Sequence, residues 1–242
     1  MTTLLALDSS TDACSVALSI YGKVTYLFEM AAQSHTQRLL PMVDELLRAA
    51  DCRLSDLDAI AFGRGPGSFT GLRICMGIVQ GLAFGANIPV IPISTLQAMA
   101  HGYLHENPEC RLPIFAALDA RMEEIYGGLF VIQPSPAPLV PSLVPSADEF
   151  VMKPSLVCQQ AFVAELNQEF VAIGPGWHYA DLQPILPSKL VLDVYPNAKF
   201  MVELAAAEFA KGNLMSVLNA QPVYLRDSIS WQKRQRIRTE PL

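Results

Sequence analysis

The segment GRGPGSFTGLR, residues 63–73, constrains this chain more than any other. The apolar run AIAF leads into it and ICMGIVQGLAFGA follows, so it joins a buried strand to a long helix. Strand, glycine loop and helix is the context in which backbone N–H groups hold phosphate, and the spacing tests each form of that idea. A P-loop requires Lys and then Ser or Thr after its last glycine, whereas Leu72 and Arg73 follow Gly71. A dinucleotide fold requires G-x-G-x-x-G and an acid closing the next strand. Here Gly65, Gly67 and Gly71 are spaced one residue too long, the next strand ends in Ser94, and no acid appears before Glu106. A nucleophile elbow requires G-x-S-x-G, which the glycines around Ser68 do not supply. Ser68 or Thr70 is expected instead to cap the helix.

The helix gives the better clue. Gly77, Gly81 and Gly85 recur every fourth residue and so share one stripe. Each costs about 1 kcal/mol of helix stability relative to alanine, together a large fraction of a domain's stability. Close approach of another backbone would offset that, either the chain's own sheet or a helix of another chain, and the sequence leaves both open. The apolar stretch 74–93 is long enough to suggest a membrane span, but Gln80, Asn87, Pro89 and Pro92 favour a buried helix followed by a buried strand. No membrane association is expected.

Around this unit the pattern gives an order. LLALDSS, ACSVALSI and KVTYLFEM read as three strands with short turns. SHTQRLLPMVDELLRAA follows with helical spacing, Ser34 as its expected cap, and Pro41 expected to kink it or mark its true start. After the glycine unit, IPVIPIS is a strand and TLQAMAHGYLHEN a helix. Three strands and then alternating units give a mixed sheet with helices on its faces, the order of a ribonuclease H-like lobe in the actin and sugar-kinase superfamily. The fold class expected is α/β and two-lobed, with residues 1–108 forming the first lobe and 109–227 a smaller second one. In the second, PIFAALDA and EEIYGGLFVI form a hairpin, and the proline-rich run 134–146 is a surface connection without an element. QAFVAELNQE reads as a helix, FVAIGPGW and LVLDV as strands, and NAKFMVELAAAEFAKGN as a helix capped by Asn197 and stopped at Gly212. Residues 228–242 form a polar tail carrying Lys233, Arg234, Arg236 and Arg238, expected to be solvated.

Composition narrows the function. The net charge is −6, which speaks against a chain that binds nucleic acid unaided. The five cysteines, at 14, 52, 75, 110 and 158, include no C-x-x-C pair and read as free thiols of a reducing cytosol. His101 and His105 have zinc-ligand spacing, but Gly102 stands where a zinc protease carries its Glu, so an exposed last turn is expected and no metal site is assigned. Asp119, Arg121, Glu123 and Glu124 read as a charged turn. Asp8, Ser10 and Thr11, at the first strand's end, are the weak candidates for contact with a cofactor.

The segments LALDSSTDACSVAL, SHTQRLLPMVDELL, FGRGPGSFTGLR, IPVIPISTLQA, LDARMEEIYGGLF and PVYLRDSISW resemble the bacterial TsaB family, formerly called YeaZ, over nearly the whole chain. The resemblance implies an actin-like fold and a part in placing threonylcarbamoyl on the tRNA adenosine beside the anticodon. It implies no catalytic residues of the chain's own, a transferase partner, TsaD, and an ATPase, TsaE, that docks on the pair. Alone, the chain would form a homodimer, and tRNA would be met only through the complex. No cofactor is expected in the isolated chain, and ATP or ADP only in the assembly. The histidines of the catalytic relative fall on Thr95 and Met99, which are poor metal ligands. The glycine-rich adenosine turn of actin-like ATPases is replaced by LMSVLNAQPVY. The expected partner interface comprises His35, Leu39, Gly65, Gly67, Ser68, Phe69, Thr70, Arg73, Gly77, Gly81 and Gly85. The rival readings, a metal-dependent peptidase and an independent actin-like ATPase, each require a site that the residues do not provide.

Overall fold

A computed structural model describes residues 2–31, 34–133, 142–166 and 169–226. The basic tail and most of the proline-rich connection lie outside these residues.

The first sheet is built from β1 (Thr3–Asp8), β2 (Ala13–Ile20), β3 (Lys23–Met30), β4 (Ala59–Gly65) and β5 (Val90–Ser94), in the order β3-β2-β1-β4-β5. β1 pairs antiparallel with β2 and parallel with β4, and β4 pairs parallel with β5. The second sheet contains β6 (Ile114–Arg121), β7 (Glu124–Gln133), β8 (Ser142–Pro145), β9 (Phe150–Met152), β10 (Val171–Ile173) and β11 (Lys189–Val191). Its order is β11-β10-β6-β7-β8, with β9 also on β7. Read from β8, it repeats the first: the lobe's first strand is central, an antiparallel hairpin lies on one side and parallel strands on the other. Two such lobes make the actin-like architecture.

β1 is buried on both faces, which is why LLAL has no polar alternation. Leu5 and Leu7 face α1 (His35–Ala49) and α2 (Phe69–Ala86), where Leu39, Met42, Val43, Cys75, Val79 and Ala83 complete one core. Leu4 and Ala6 point the other way, toward α6 (Ala198–Ala210). Small residues on both sides of that contact, Ala17, Ala59 and Ala61 against Ala198 and Ala205, let helix and sheet approach closely. α3 (Thr95–Glu106) lies between the lobes, touching α6 on one side and β6 and β7 on the other. It is buried almost all round, from Thr95 through Leu104. The far face of the second sheet is closed by the short helices α4 (Pro154–Val157) and α5 (Ala161–Glu165) and an aromatic cluster. There Phe115 meets Phe150, Phe162, Phe170 and Trp177. The Trp177 indole N–H donates to the Phe115 carbonyl at 3.2 Å.

Several expectations are corrected. α1 starts at His35 and runs through Pro41, so the proline does not mark its beginning, and Ser34 precedes it without a side-chain cap bond. Residues 142–145, expected to be a plain connection, pair with β7 as β8. α5 is a single short turn. The largest difference concerns α6, placed by sequence in the second lobe: it packs on β1, β2, β4 and β5, so the stretch 109–227 is shared between lobes. Asn197 does cap α6, accepting from the Lys199 amide at 2.9 Å.

Leu39 is fully buried in the core beneath α1. Replacing it with alanine is expected to lower stability by about 2–5 kcal/mol, read from urea unfolding. A loss within error of zero would show that α1 is not held by this core.

Candidate functional site

The loop into α2 lies on the turn between β1 and β2. Its glycines serve that contact. The Ser68 amide donates to the Ser10 carbonyl at 2.6 Å, and the Ser9 hydroxyl donates to the Gly71 carbonyl at 2.9 Å. A Cβ at Gly67 would run into the Ser10 carbonyl, and one at Gly71 into that of Ser9. Ser68 caps the helix, accepting from the Gly71 amide at 3.3 Å. The amides of Ser68 and Gly71 are thereby satisfied inside the chain.

A cleft of about 350 Å³ opens between the lobes. Ser10, Thr11, Ser68 and Thr70 line one wall, Asp119 and Arg226 the other. Asp8 does not reach it. Its carboxyl is fully buried beneath the turn, where Oδ1 accepts from the Ser10 amide at 3.1 Å and from the Ser10 hydroxyl at 2.9 Å. Oδ2 has no partner among the described residues and faces Gly63, where a Cβ would collide with it. Burial raises the Asp8 pKa to about 7, against the lowering effect of the Ser10 bonds. Of the three cofactor candidates, Ser10 and Thr11 therefore lie on the cleft and Asp8 supports the turn from behind.

The outer surface of α2 is of another kind. Gly77, Gly81 and Gly85 are exposed, and added Cβ atoms there would meet nothing within 4 Å among the described residues. The stripe does not pack on the chain's own sheet. Phe84 is 71% exposed beside it, and Leu40 on α1 is 48% exposed. At its N-terminal end the Arg73 guanidinium lies 3.8 Å over the Phe69 ring, whose other neighbour is Tyr224 at 5.3 Å between centroids. Ser68, Phe69, Thr70, Arg73, Gly77, Gly81 and Gly85 thus share an open surface. His35, Leu39, Gly65 and Gly67 do not belong to it, since all four are buried within the chain. Sequence reading missed Phe84 and Tyr224. Phe84 lies one residue from Gly85 on a helix already singled out, whereas nothing local predicts that Tyr224 reaches Phe69.

The two histidines do not share one exposed turn: His105 is exposed, as expected, and His101 is not. His101 is buried, and its Nε2 lies 2.9 Å from Glu203 of α6, with His105 Nδ1 3.3 Å from the same carboxylate oxygen. The trio ties α3 to α6. Among the described residues no group of three or more His, Cys, Asp or Glu is arranged to hold a metal ion. Thr95 and Met99 are both buried. The two buried thiols are not poised as nucleophiles: burial pushes Cys14 up to about 12 and Cys75 well above its ordinary value. α2 is long and apolar enough to cross a membrane by length and composition, with a mean hydropathy of 1.3. Its inner face is built into the core of the first lobe.

A family model for TsaD, tRNA N6-adenosine threonylcarbamoyltransferase, matches residues 27–135. The tRNA threonylcarbamoyladenosine biosynthesis protein TsaB of Haemophilus influenzae is 41% identical over 242 residues, 96% of each chain. That of Escherichia coli is 41% identical over 235 residues, 95% of this chain and 97% of the other. Among solved structures, YeaZ from Pseudomonas aeruginosa superposes with a TM-score of 0.81 at 40% identity, covering 93% of this chain and all of the other.

Two measurements check the site. Gly77→Ala and Gly81→Ala should each raise the stability of the isolated chain by up to about 1 kcal/mol, because helix propensity improves and nothing is displaced. Destabilisation in thermal unfolding would mean that the glycines are needed inside the chain. Asp8 titrates near 7 when folded against 3.8 for the free group. The folded chain thus keeps a proton that the unfolded chain releases, so stability is highest below the lower value and falls as pH rises to about 7. Asp8→Asn should flatten that fall and exceed the parent at about pH 8 by up to about 4 kcal/mol. An unchanged pH slope in urea midpoints would contradict the assignment.

Proposed function

Because this chain belongs to the TsaB family, we propose that it is the non-catalytic subunit of the machinery that places threonylcarbamoyl on the tRNA adenosine beside the anticodon. In this reading it binds and activates a TsaD-like transferase, and a TsaE-like ATPase docks on the pair, in the cytoplasm. The observation that carries the proposal is the open stripe of α2. A helix interior with glycines at three stripe positions, and nothing against them among the described residues, keeps a destabilising sequence without a benefit there. A partner helix laid along the stripe would find closely approachable backbone, flanked by the exposed side chains of Phe69, Phe84 and Leu40. The match of residues 27–135 to a TsaD model supports a partner of related build, because it spans α1, α2 and α3. Two copies of this chain would use the same face in its absence.

Nothing is assigned to the chain as catalysis. The positions matching the relative's metal-binding histidines carry a buried hydroxyl and a buried thioether. ATP or ADP is assigned to the assembled complex only. With a net charge of −6, tRNA is engaged through the complex rather than by this chain.

Gly77→Leu and Gly81→Leu should each keep the fold, since the side chain enters open space, and abolish co-purification with the TsaD-like protein. Both variants retaining tight binding would reject the docking face.

A further inference from the structure

The segment 220–226 leaves the short turn Val217–Asn219 on the first lobe and crosses to the second. The Val223 amide donates to the Arg64 carbonyl at 2.7 Å, at the end of β4. Tyr224 lies against Phe69 with its ring tilted by 47°, and its hydroxyl accepts from Arg73 Nε at 3.5 Å. Arg226, its side chain 21% exposed, then pairs with the Glu124 carboxylate and donates from Nη2 to the Ala120 carbonyl at 3.2 Å. Ala120 and Glu124 bracket the tip of the β6–β7 hairpin. The three residues between them, Arg121, Met122 and Glu123, are all left-handed, with φ of 62°, 55° and 59°. None is a glycine, so the tip is strained and must be held by its surroundings. The Asp119 carboxylate grips it from within the hairpin, accepting from the Arg121 amide at 2.8 Å. Arg226 grips it from outside, joining the residue before the tip to the residue after it. One guanidinium nitrogen, Nη2, serves the carboxylate and the carbonyl together, each through one of its N–H groups.

We propose that Arg226 is an interlobe latch. The strap 220–226, anchored on the first lobe through Val223 and Tyr224, holds the β6–β7 hairpin at a fixed distance from the start of α2 and so sets the width of the cleft. Arg64 reaching Glu149 at 3.4 Å is a second cross-lobe tie, and it stays when the latch opens. The strap also joins two surfaces. Tyr224 sits at the N-terminal end of the open face of α2, and Arg226 sits in the cleft, so displacing the Tyr224 ring pulls on the latch. The latch is a property of the free chain and stands whether or not the docking face is correctly assigned.

Hydrogen exchange on the full chain tests it. Arg226→Met keeps the apolar stem and removes the charge. In that variant the amides of residues 121–124 and of Val223 should exchange at least about tenfold faster, while those of β1 and β2 stay as in the parent. Glu124→Gln should shift the same amides in the same direction by a smaller factor, and it carries the test if Arg226→Met does not fold. Unchanged hairpin exchange overturns the proposal. So does acceleration spread evenly over β1 and β2, which would mean general loss of stability and not release of a latch.

Discussion

The contact between the β1–β2 turn and the loop entering α2 is the constraint on which the rest depends. Ser68 donates to Ser10 and Ser9 donates to Gly71, and the two glycines let the backbones approach to that distance. This seats the first turn of α2 at the edge of the cleft and fixes which side of the helix faces the sheet. Once Cys75, Val79 and Ala83 are inside, Gly77, Gly81 and Gly85 can only be outside. The loop resembles a phosphate cradle in composition because both tasks need backbone without side chains. Here at least two of the amides that a phosphate would use are satisfied by the chain itself.

The outward glycines are then the feature that needs an explanation from beyond the chain. Their cost within the helix is about 1 kcal/mol each. Glycines elsewhere answer to a neighbour or to the backbone: Gly102 of α3 leaves room for the Phe200 ring, Gly63 leaves room for Asp8, and Gly22 and Gly212 have φ of 86° and 77°. The α2 stripe has no such neighbour among the described residues and no positive φ, which is why a second chain is the economical account. The cleft, the other candidate surface, is bounded by groups largely engaged with one another, including Asp119 with Tyr179 at 2.9 Å and Arg226 with Glu124.

Much of the first lobe was legible in the sequence, because its signals are local. Continuous apolar runs marked β1 and β4, and helical spacing marked α1 and α2. The second lobe was less so. Prolines through 134–145 concealed β8, although a strand pairing on one side tolerates Pro145 at its end. Short elements such as β9 and α4, which no reading anticipated, carry too few residues to show a period, and α5 and β10 proved shorter than the runs read for them. The docking of α6 on the first sheet could not be read at all, since the alanines that permit it lie on both partners and are distant in the chain. His101 was misread for the same reason: its partner Glu203 comes from α6. In the site, spacing excluded the phosphate loops and singled out the glycine stripe, but whether that stripe faced the core or the solvent was settled only by three-dimensional packing. Leu39, His35, Gly65 and Gly67, expected at the partner interface, are buried within the chain.

The central claim is that the outer face of α2, with its neighbour α1, is where the partner sits. Hydrogen exchange of this chain with and without a saturating TsaD-like protein reads that surface directly. The account predicts new protection along residues 69–86 and on the exposed positions of α1, with the α4 and α5 side of the second lobe unchanged. Protection confined to the second lobe, with α2 exchanging as in the free chain, would contradict it.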